Sequence, residues 1–179
     1  MRKQAVPQRF SQQNRSDEGD IFMQSKISRR GLMLCAGAAS VAAAVPAMAE
    51  VRPAIHVLKD PNCGCCTAWV EILQSEGFDV SVEPSMGTLL ARYKLDNGIP
   101  QELVSCHTGR IAGYMIEGHV PPADIRRLLE ERPDAIGLAV PGMPYGSPGM
   151  GPETEREAYE VFLIRHDGTT EPFSSYPAA

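Results

Sequence analysis

The sequence predicts an α/β domain, a mixed sheet with helices on its faces. Three observations carry that reading. Stretches of alternating apolar and polar residues recur from residue 54 onward, as half-buried strands require. Between them lie stretches with apolar residues at helical spacing. The two kinds follow one another in the order β-α-β-α-β-β-α.

"AIHVLKD" (54–60) alternates and ends at Asp60-Pro61, so it reads as a strand followed by a turn. "CCTAWVEILQSEGF" (65–78) reads as a helix, with Trp69, Ile72 and Leu73 as its apolar stripe and Gly77 as its stop. "FDVSVEP" (78–84) is a second strand. Ser85 is placed to cap a second helix, "MGTLLARYKLDN", closed by Gly98. Pro100 opens a short turn, "PQEL". "VSCHTGRIAGYMIEG" (104–118) reads as two strands about a turn at Thr108-Gly109-Arg110. Pro121 and Pro122 lead into the helix "ADIRRLLEERP" (123–133), whose buried stripe is Ile125, Leu128 and Leu129. This is the order of a thioredoxin-like domain. "GLAVPGMPYGSPGMGP" (137–152) carries too many Gly and Pro for regular structure and reads as a Gly/Pro/Met-rich loop. "EAYEVFLIRHDGTTEPF" closes the chain as a C-terminal hairpin around Asp167-Gly168. No internal repeat is visible.

Residues 1–49 read differently. A polar stretch without apolar period is followed by "ISRRGLMLCAGAASVAAAVPAMAE", with paired Arg29 and Arg30, an apolar run and the ending Ala47-Met48-Ala49. That is the form of a twin-arginine signal peptide, which predicts export to the periplasm. The apolar run is roughly 15 residues against the about 20 a membrane span needs, so no membrane insertion is expected after cleavage. Residues 50–179 then form one domain. Ten of the 17 basic and 19 of the 22 acidic residues lie in it, a net charge near −9. Such a chain does not seek nucleic acid or anionic lipid.

Four cysteines fall in this domain: Cys63, Cys65, Cys66 and Cys106. Cys63 and Cys66 have C-x-x-C spacing, after a strand and at the opening of a helix, where free backbone N–H groups and the helix dipole favour thiolate. Cys65 lies about 100° from Cys66 around a helix axis, so it points off that pair's line. Cys106 lies at the third strand, which in a thioredoxin-like sheet runs beside the first. His107 follows directly. Neighbours on a regular strand face opposite sides, so either one of the two reaches the site, Cys106 being the better candidate, or the chain is irregular there. An exported set of four cysteines is open to several readings: disulfide staple, thiol–disulfide redox couple, or soft-metal site. The third thiol in the turn argues against a simple redox couple, and the neighbouring Cys65 and Cys66 make a poor staple.

The stretches "CGCCTAWVEILQSEGF", "SCHTGRIAGYMIEGHVP" and "AIGLAVPGMPYGSPGM" resemble the periplasmic copper-resistance proteins of the CopG type, a domain catalogued as uncharacterised (DUF411). The resemblance runs from about Ala54 to Met150. It implies a thioredoxin-like fold carrying a thiolate-bridged, multinuclear copper site with Cys63, Cys65, Cys66 and Cys106 as thiolates. It further implies a role in handling periplasmic copper or interconverting Cu(I) and Cu(II), with copper ions and other periplasmic copper-handling proteins as partners. The chemistry agrees, since Cu(I) prefers thiolate, thioether and imidazole. Zinc in a closed four-cysteine site is the metal alternative. A thiol–disulfide oxidoreductase and a passive copper store are the functional ones.

On the residues alone His119, in "EGHVPP", reads as a surface or capping residue; the resemblance makes it, and His107, candidate ligands. Met143 and Met150 flank "PYGSPG" in a loop suited to cover a metal site, either as apolar plugs or as thioether donors. Met86 and Met115 read as core or cap, Trp69 as packing behind the cysteines, and His56 and His166 as structural; Glu117 and Glu71 read as solvated carboxylates, with holding or screening the site as the alternative.

Overall fold

The computed structural model describes residues 51–179, so the signal-peptide reading of residues 1–49 lies outside the described residues. Seven strands form one mixed sheet: β1 (Ala54–Lys59), β2 (Asp79–Pro84), β3 (His107–Ile111), β4 (Tyr114–Glu117), β5 (Gly137–Ala139), β6 (Tyr159–Ile164) and β7 (Thr170–Tyr176). Their order across the sheet is β2-β1-β3-β4-β5-β6-β7. β1 is parallel to β2 and β4 to β5, while the other neighbours are antiparallel. Three helices connect them: α1 (Gly64–Ser75), α2 (Gly87–Asp96) and α3 (Pro122–Glu131). The expected order from β1 to α3 is therefore realised, together with the C-terminal hairpin.

Strand alternation divides the core into two layers. Ile116, Leu138 and Leu163 point into the larger cluster with Trp69 and Leu73 of α1 and Ile125 and Leu128 of α3. Their strand neighbours Met115, Ala139 and Ile164 point the other way, into a smaller cluster with Ile99, Leu103 and Tyr93 of α2. α1 and α3 thus cover one face and α2 the other. Within the expected stripes Trp69, Leu73, Ile125 and Leu128 are buried, whereas Ile72 and Leu129 are only partly so. Pro122 opens α3 as expected.

Three local expectations are corrected. The turn between β3 and β4 is Ala112-Gly113, both at positive φ, and Thr108-Gly109-Arg110 lie inside β3 opposite β1. Gly109 serves packing: a Cβ there would sit 2.8 Å from Ile55 Cδ1. Ser85 makes no cap; α2 begins after Met86, without a side-chain cap. Finally, residues 137–139 of the supposed irregular loop form β5. Its first residue is a glycine because the chain passes so close to β4 that a Cβ would meet the Met115 carbonyl oxygen at 1.8 Å. A three-residue strand buried on both faces is held by its neighbours, and local composition does not report it. Among the described residues no helix is long and apolar enough to cross a membrane.

Candidate metal centre

The end of β1 turns at Asp60 and delivers Cys63 to the N-cap position of α1, where its Sγ accepts the Cys66 N–H at 3.3 Å. Cys63 and Cys66 are joined by a disulfide. Cys65, free and half-buried, holds its Sγ 3.5 Å from that of Cys63. Cys106 arrives from the other segment. It lies one residue before β3, and β3 pairs antiparallel with β1 so that His107 sits opposite Lys59. The four sulfur atoms lie within 4.8 Å of one another.

The irregular alternative for Cys106 and His107 is the one found. Cys106 occupies a bend outside the strand, and its Sγ lies 3.4 Å from His107 Nδ1. It also lies 3.4 Å from His119 Nε2. Cys106, His107 and His119 form a second group with donor atoms within 4.8 Å of one another. Cys106 is common to both groups, so one sulfur stands at the junction of a thiol cluster and a pair of imidazoles.

The two histidines are held in different ways. His119 follows Gly118, which has positive φ and packs where a Cβ would meet the Val140 carbonyl oxygen at 2.6 Å. His119 Nδ1 lies 2.8 Å from the carbonyl oxygen of Pro148. A carbonyl only accepts, so Nδ1 carries the proton and the Nε2 lone pair faces Cys106. Burial lowers the pKa of His119, keeping it neutral. His107 is fully buried between Trp69, at 4.3 Å between ring centroids, and His119, edge-on at 4.9 Å. Burial, then the neighbouring His119, drives its pKa well below the usual value. Its Nε2 is buried without a hydrogen-bond partner. Trp69 lies behind the site as expected, its indole N–H donating to the Val120 carbonyl at 2.9 Å. Burial, with Cys65 adding to it, pushes the Cys106 thiol up to about 11.

A shallow cleft of about 380 Å³ opens onto the sulfurs between Asp60, Asn62, Cys63, Met86, Leu90 and Cys106. Met86, 53% exposed, stands at its rim rather than in the core, while Met115 is buried as expected. The Gly/Pro-rich loop covers the other side. Gly149 lies against the α1 backbone, and Pro148 reaches His119. Met150 is partly buried; Met143 is 55% exposed beside Pro144, Glu157 and Phe162. His56 bonds Ser81 and Glu83 on the neighbouring strand, and His166 lies by Asp134.

Glu117 is a correction. It is fully buried, not solvated, and pairs with Lys94 of α2 beneath the Cys106 segment. A single carboxylate at the end of a short strand carries no sign of burial. The signal that could have found the pair is the apolar residue flanking each: a carboxylate between Ile116 and the buried turn at Gly118 must have a partner.

Comparison with known proteins bears on this centre. A family described as "Protein of unknown function, DUF411" matches residues 103–150. Two solved structures named "Copper resistance protein copG", forms 1 and 2, are each 43% identical to this chain. Form 1 superposes with a TM-score of 0.66, covering 71% of this chain and 100% of its own. Form 2 gives 0.65, with 70% and 99%. No curated protein sequence matches.

Proposed function

The chain belongs to the DUF411 family with the CopG-type copper resistance proteins, and from that premise we propose that it binds copper in copper resistance through the Cys63, Cys65, Cys66 and Cys106 sulfurs and the His107 and His119 imidazoles. The observation that carries the reading is the position of Cys106, which joins the thiol cluster to both histidines. The donor set fits the metal. Sulfur and neutral imidazole suit Cu(I) better than any oxygen-lined site would. Two ligands bonded at about 2.3 Å to one ion lie at most about 4.6 Å apart, close to the spread of these atoms. His107 Nδ1 and the His119 Nε2 lone pair each face the Cys106 sulfur at 3.4 Å, placed to share a metal with it. A thiolate retains lone pairs after binding one ion, so Cys106 is suited to bridge two, which supports a multinuclear site.

The protein's own part is to hold and release protons and electrons at sulfur. With Cys63 and Cys66 joined, two sulfurs are withdrawn from the donor set. Adding two electrons and two protons, from a dithiol reductant, breaks the S–S bond and gives two thiols; metal binding then releases the thiol protons. Bound copper would supply a one-electron Cu(I)/Cu(II) couple. We further propose that Met143 and Met150 offer thioether or apolar cover on the loop, that residues 1–49 direct export, and that residues 50–179 act in the periplasm with other copper-handling proteins. The disulfide itself favours a second reading, a thiol–disulfide oxidoreductase using Cys63 and Cys66.

The test is metal content. The reduced protein is loaded with Cu(I) under anaerobic conditions and desalted, and copper per chain is measured by mass spectrometry beside a free-thiol count. Cys106→Ser and Cys66→Ser should each remove most of the copper while the fold persists by circular dichroism. Unchanged stoichiometry in both variants would leave the redox couple as the better reading.

A further inference from the structure

The segment that carries Cys106 and His107 is fastened by a device that none of the proposed ligands explains. Lys94 and Glu117 are 1% and 0% exposed. Lys94 Nζ donates to Glu117 Oε1 and, at 2.8 Å, to the carbonyl oxygen of Ser105. The same Glu117 oxygen accepts the Ser105 N–H at 2.6 Å, and its Oε2 accepts the Thr108 hydroxyl at 2.5 Å. Both backbone polar groups of Ser105 and the side chain of Thr108 are thus tied to one ion pair. These residues flank Cys106-His107 on either side. Ser105 also donates its hydroxyl to the Gly142 carbonyl at 2.9 Å, where the Gly/Pro-rich loop begins.

An ion pair at this depth is poorly explained by stability. The desolvation of two charges offsets their attraction, and well-packed apolar pairs of similar volume often serve as well. What an apolar pair cannot do is hold three hydrogen bonds on chosen backbone and hydroxyl groups. Without them residues 105–108 are free to take regular strand geometry, and alternation would turn either Cys106 or His107 away from the centre.

Resting on the copper reading above, we propose that Lys94 and Glu117 are positioning residues of the metal centre, clamping Ser105 and Thr108 so that Cys106 and His107 face one pocket before metal arrives. They hydrogen-bond to none of the proposed ligand side chains; they act through the Ser105 backbone and the Thr108 hydroxyl on either side of Cys106-His107. Removing such support around a metal site ordinarily lowers affinity about 10- to 100-fold.

The test uses Lys94→Met/Glu117→Leu, which replaces the pair by apolar groups, with Thr108→Val, which removes one clamp bond and leaves the ion pair whole, as a second variant should the first fail to fold. Three quantities are measured on the full chain: the urea midpoint, the rate at which N-ethylmaleimide alkylates Cys106 in the reduced metal-free protein, and Cu(I) affinity by competition with a chromophoric chelator. The clamp predicts Cys106 alkylation several-fold faster and copper affinity at least about ten-fold weaker, whether or not the midpoint also falls. A purely structural pair would move the midpoint and leave the other two alone. A folded variant with parental alkylation and parental affinity overturns the proposal. Faster alkylation with parental affinity upholds the clamp and instead overturns Cys106 as a copper ligand.

Discussion

Gly149→Ala tests the link between the Gly/Pro-rich loop and the centre it covers. Gly149 has φ +85, and an added Cβ would lie 2.8 Å from Trp69 N, 2.9 Å from Cys65 O and 3.2 Å from Trp69 Cα. All three atoms are α1 backbone, so no side chain can swing aside. Holding alanine in the left-handed region costs about 1–2 kcal/mol. The loop must also lift from α1, and Pro148 lifts with it. That weakens the 2.8 Å bond from His119 Nδ1, whose loss costs about 0.5–1.5 kcal/mol more. The expected destabilisation is about 1.5–3.5 kcal/mol, or less by urea titration if the loop detaches alone rather than unfolding the domain. The second readout distinguishes those cases. With Pro148 withdrawn, His119 loses the acceptor that fixes its tautomer, so ¹⁵N NMR of the ring should show a mixture of Nδ1–H and Nε2–H forms. A variant with the parent's urea midpoint and a pure Nδ1–H His119 would refute the claim that this glycine seats the loop on the site.

Other substitutions and pH probe the remaining parts. The Cys106 thiol, raised by burial from 9.0 to about 11, should alkylate slowly at pH 8 and faster as pH climbs toward 11, followed site by site by mass spectrometry. Because its folded pKa is raised, its contribution to stability is whole below pH 9 and is lost as pH rises through about 11; a Cys106 rate already flat above pH 8 would contradict this. Tyr176 donates to Asp124 Oδ2 at 2.7 Å and stacks on Tyr159 with centroids 4.7 Å apart. Tyr176→Phe keeps the stack but removes a donor from a buried carboxylate, so urea denaturation should show a loss of about 1–2 kcal/mol, and no loss would mean the C-terminal hairpin is not anchored there. Ala112, at φ 48 in the β3–β4 turn, is strained where glycine is not; Ala112→Gly should raise stability by about 0.5–1 kcal/mol, and a lowered urea midpoint would contradict that backbone reading.

What the sequence discloses follows from the range of the forces involved. Period and punctuation are local, so β1, α1, β2, α2, α3 and the terminal hairpin are all legible, down to Pro122 opening α3. The gathering of Cys63, Cys65, Cys66 and Cys106 follows from the β1–β3 pairing that the element order implies. The features hidden from sequence are set by distant neighbours. Gly109 looks like a turn residue and is a packing residue against Ile55. β5 exists because β4 and β6 flank it. Lys94 stands in a helix of alternating charge and apolar residues, and only the fold shows that it faces inward to Glu117. The strand-parity objection to His107 was sound for a regular strand and fails because Cys106 lies outside one.

The arrangement gives the sulfurs two occupations that exclude each other. Cys63 and Cys66 either share a disulfide or present two thiolates, and a metal that uses those thiolates binds only the reduced form. Binding to one member of an equilibrium stabilises it by mass action. For a two-electron couple each tenfold excess of metal over its dissociation constant therefore moves the midpoint potential up by about 30 mV, toward the reduced pair. On the proposed copper reading, copper supply and thiol redox state become one variable for this protein. A scarce metal leaves the pair free to close, and an abundant one holds it open. Cys65 and Cys106, which the disulfide does not consume, keep a two-sulfur foothold beside His119 in either state. On the proposed copper reading that foothold would let metal be captured before the pair is reduced, whereas a site built from Cys63 and Cys66 alone would have to be reduced first.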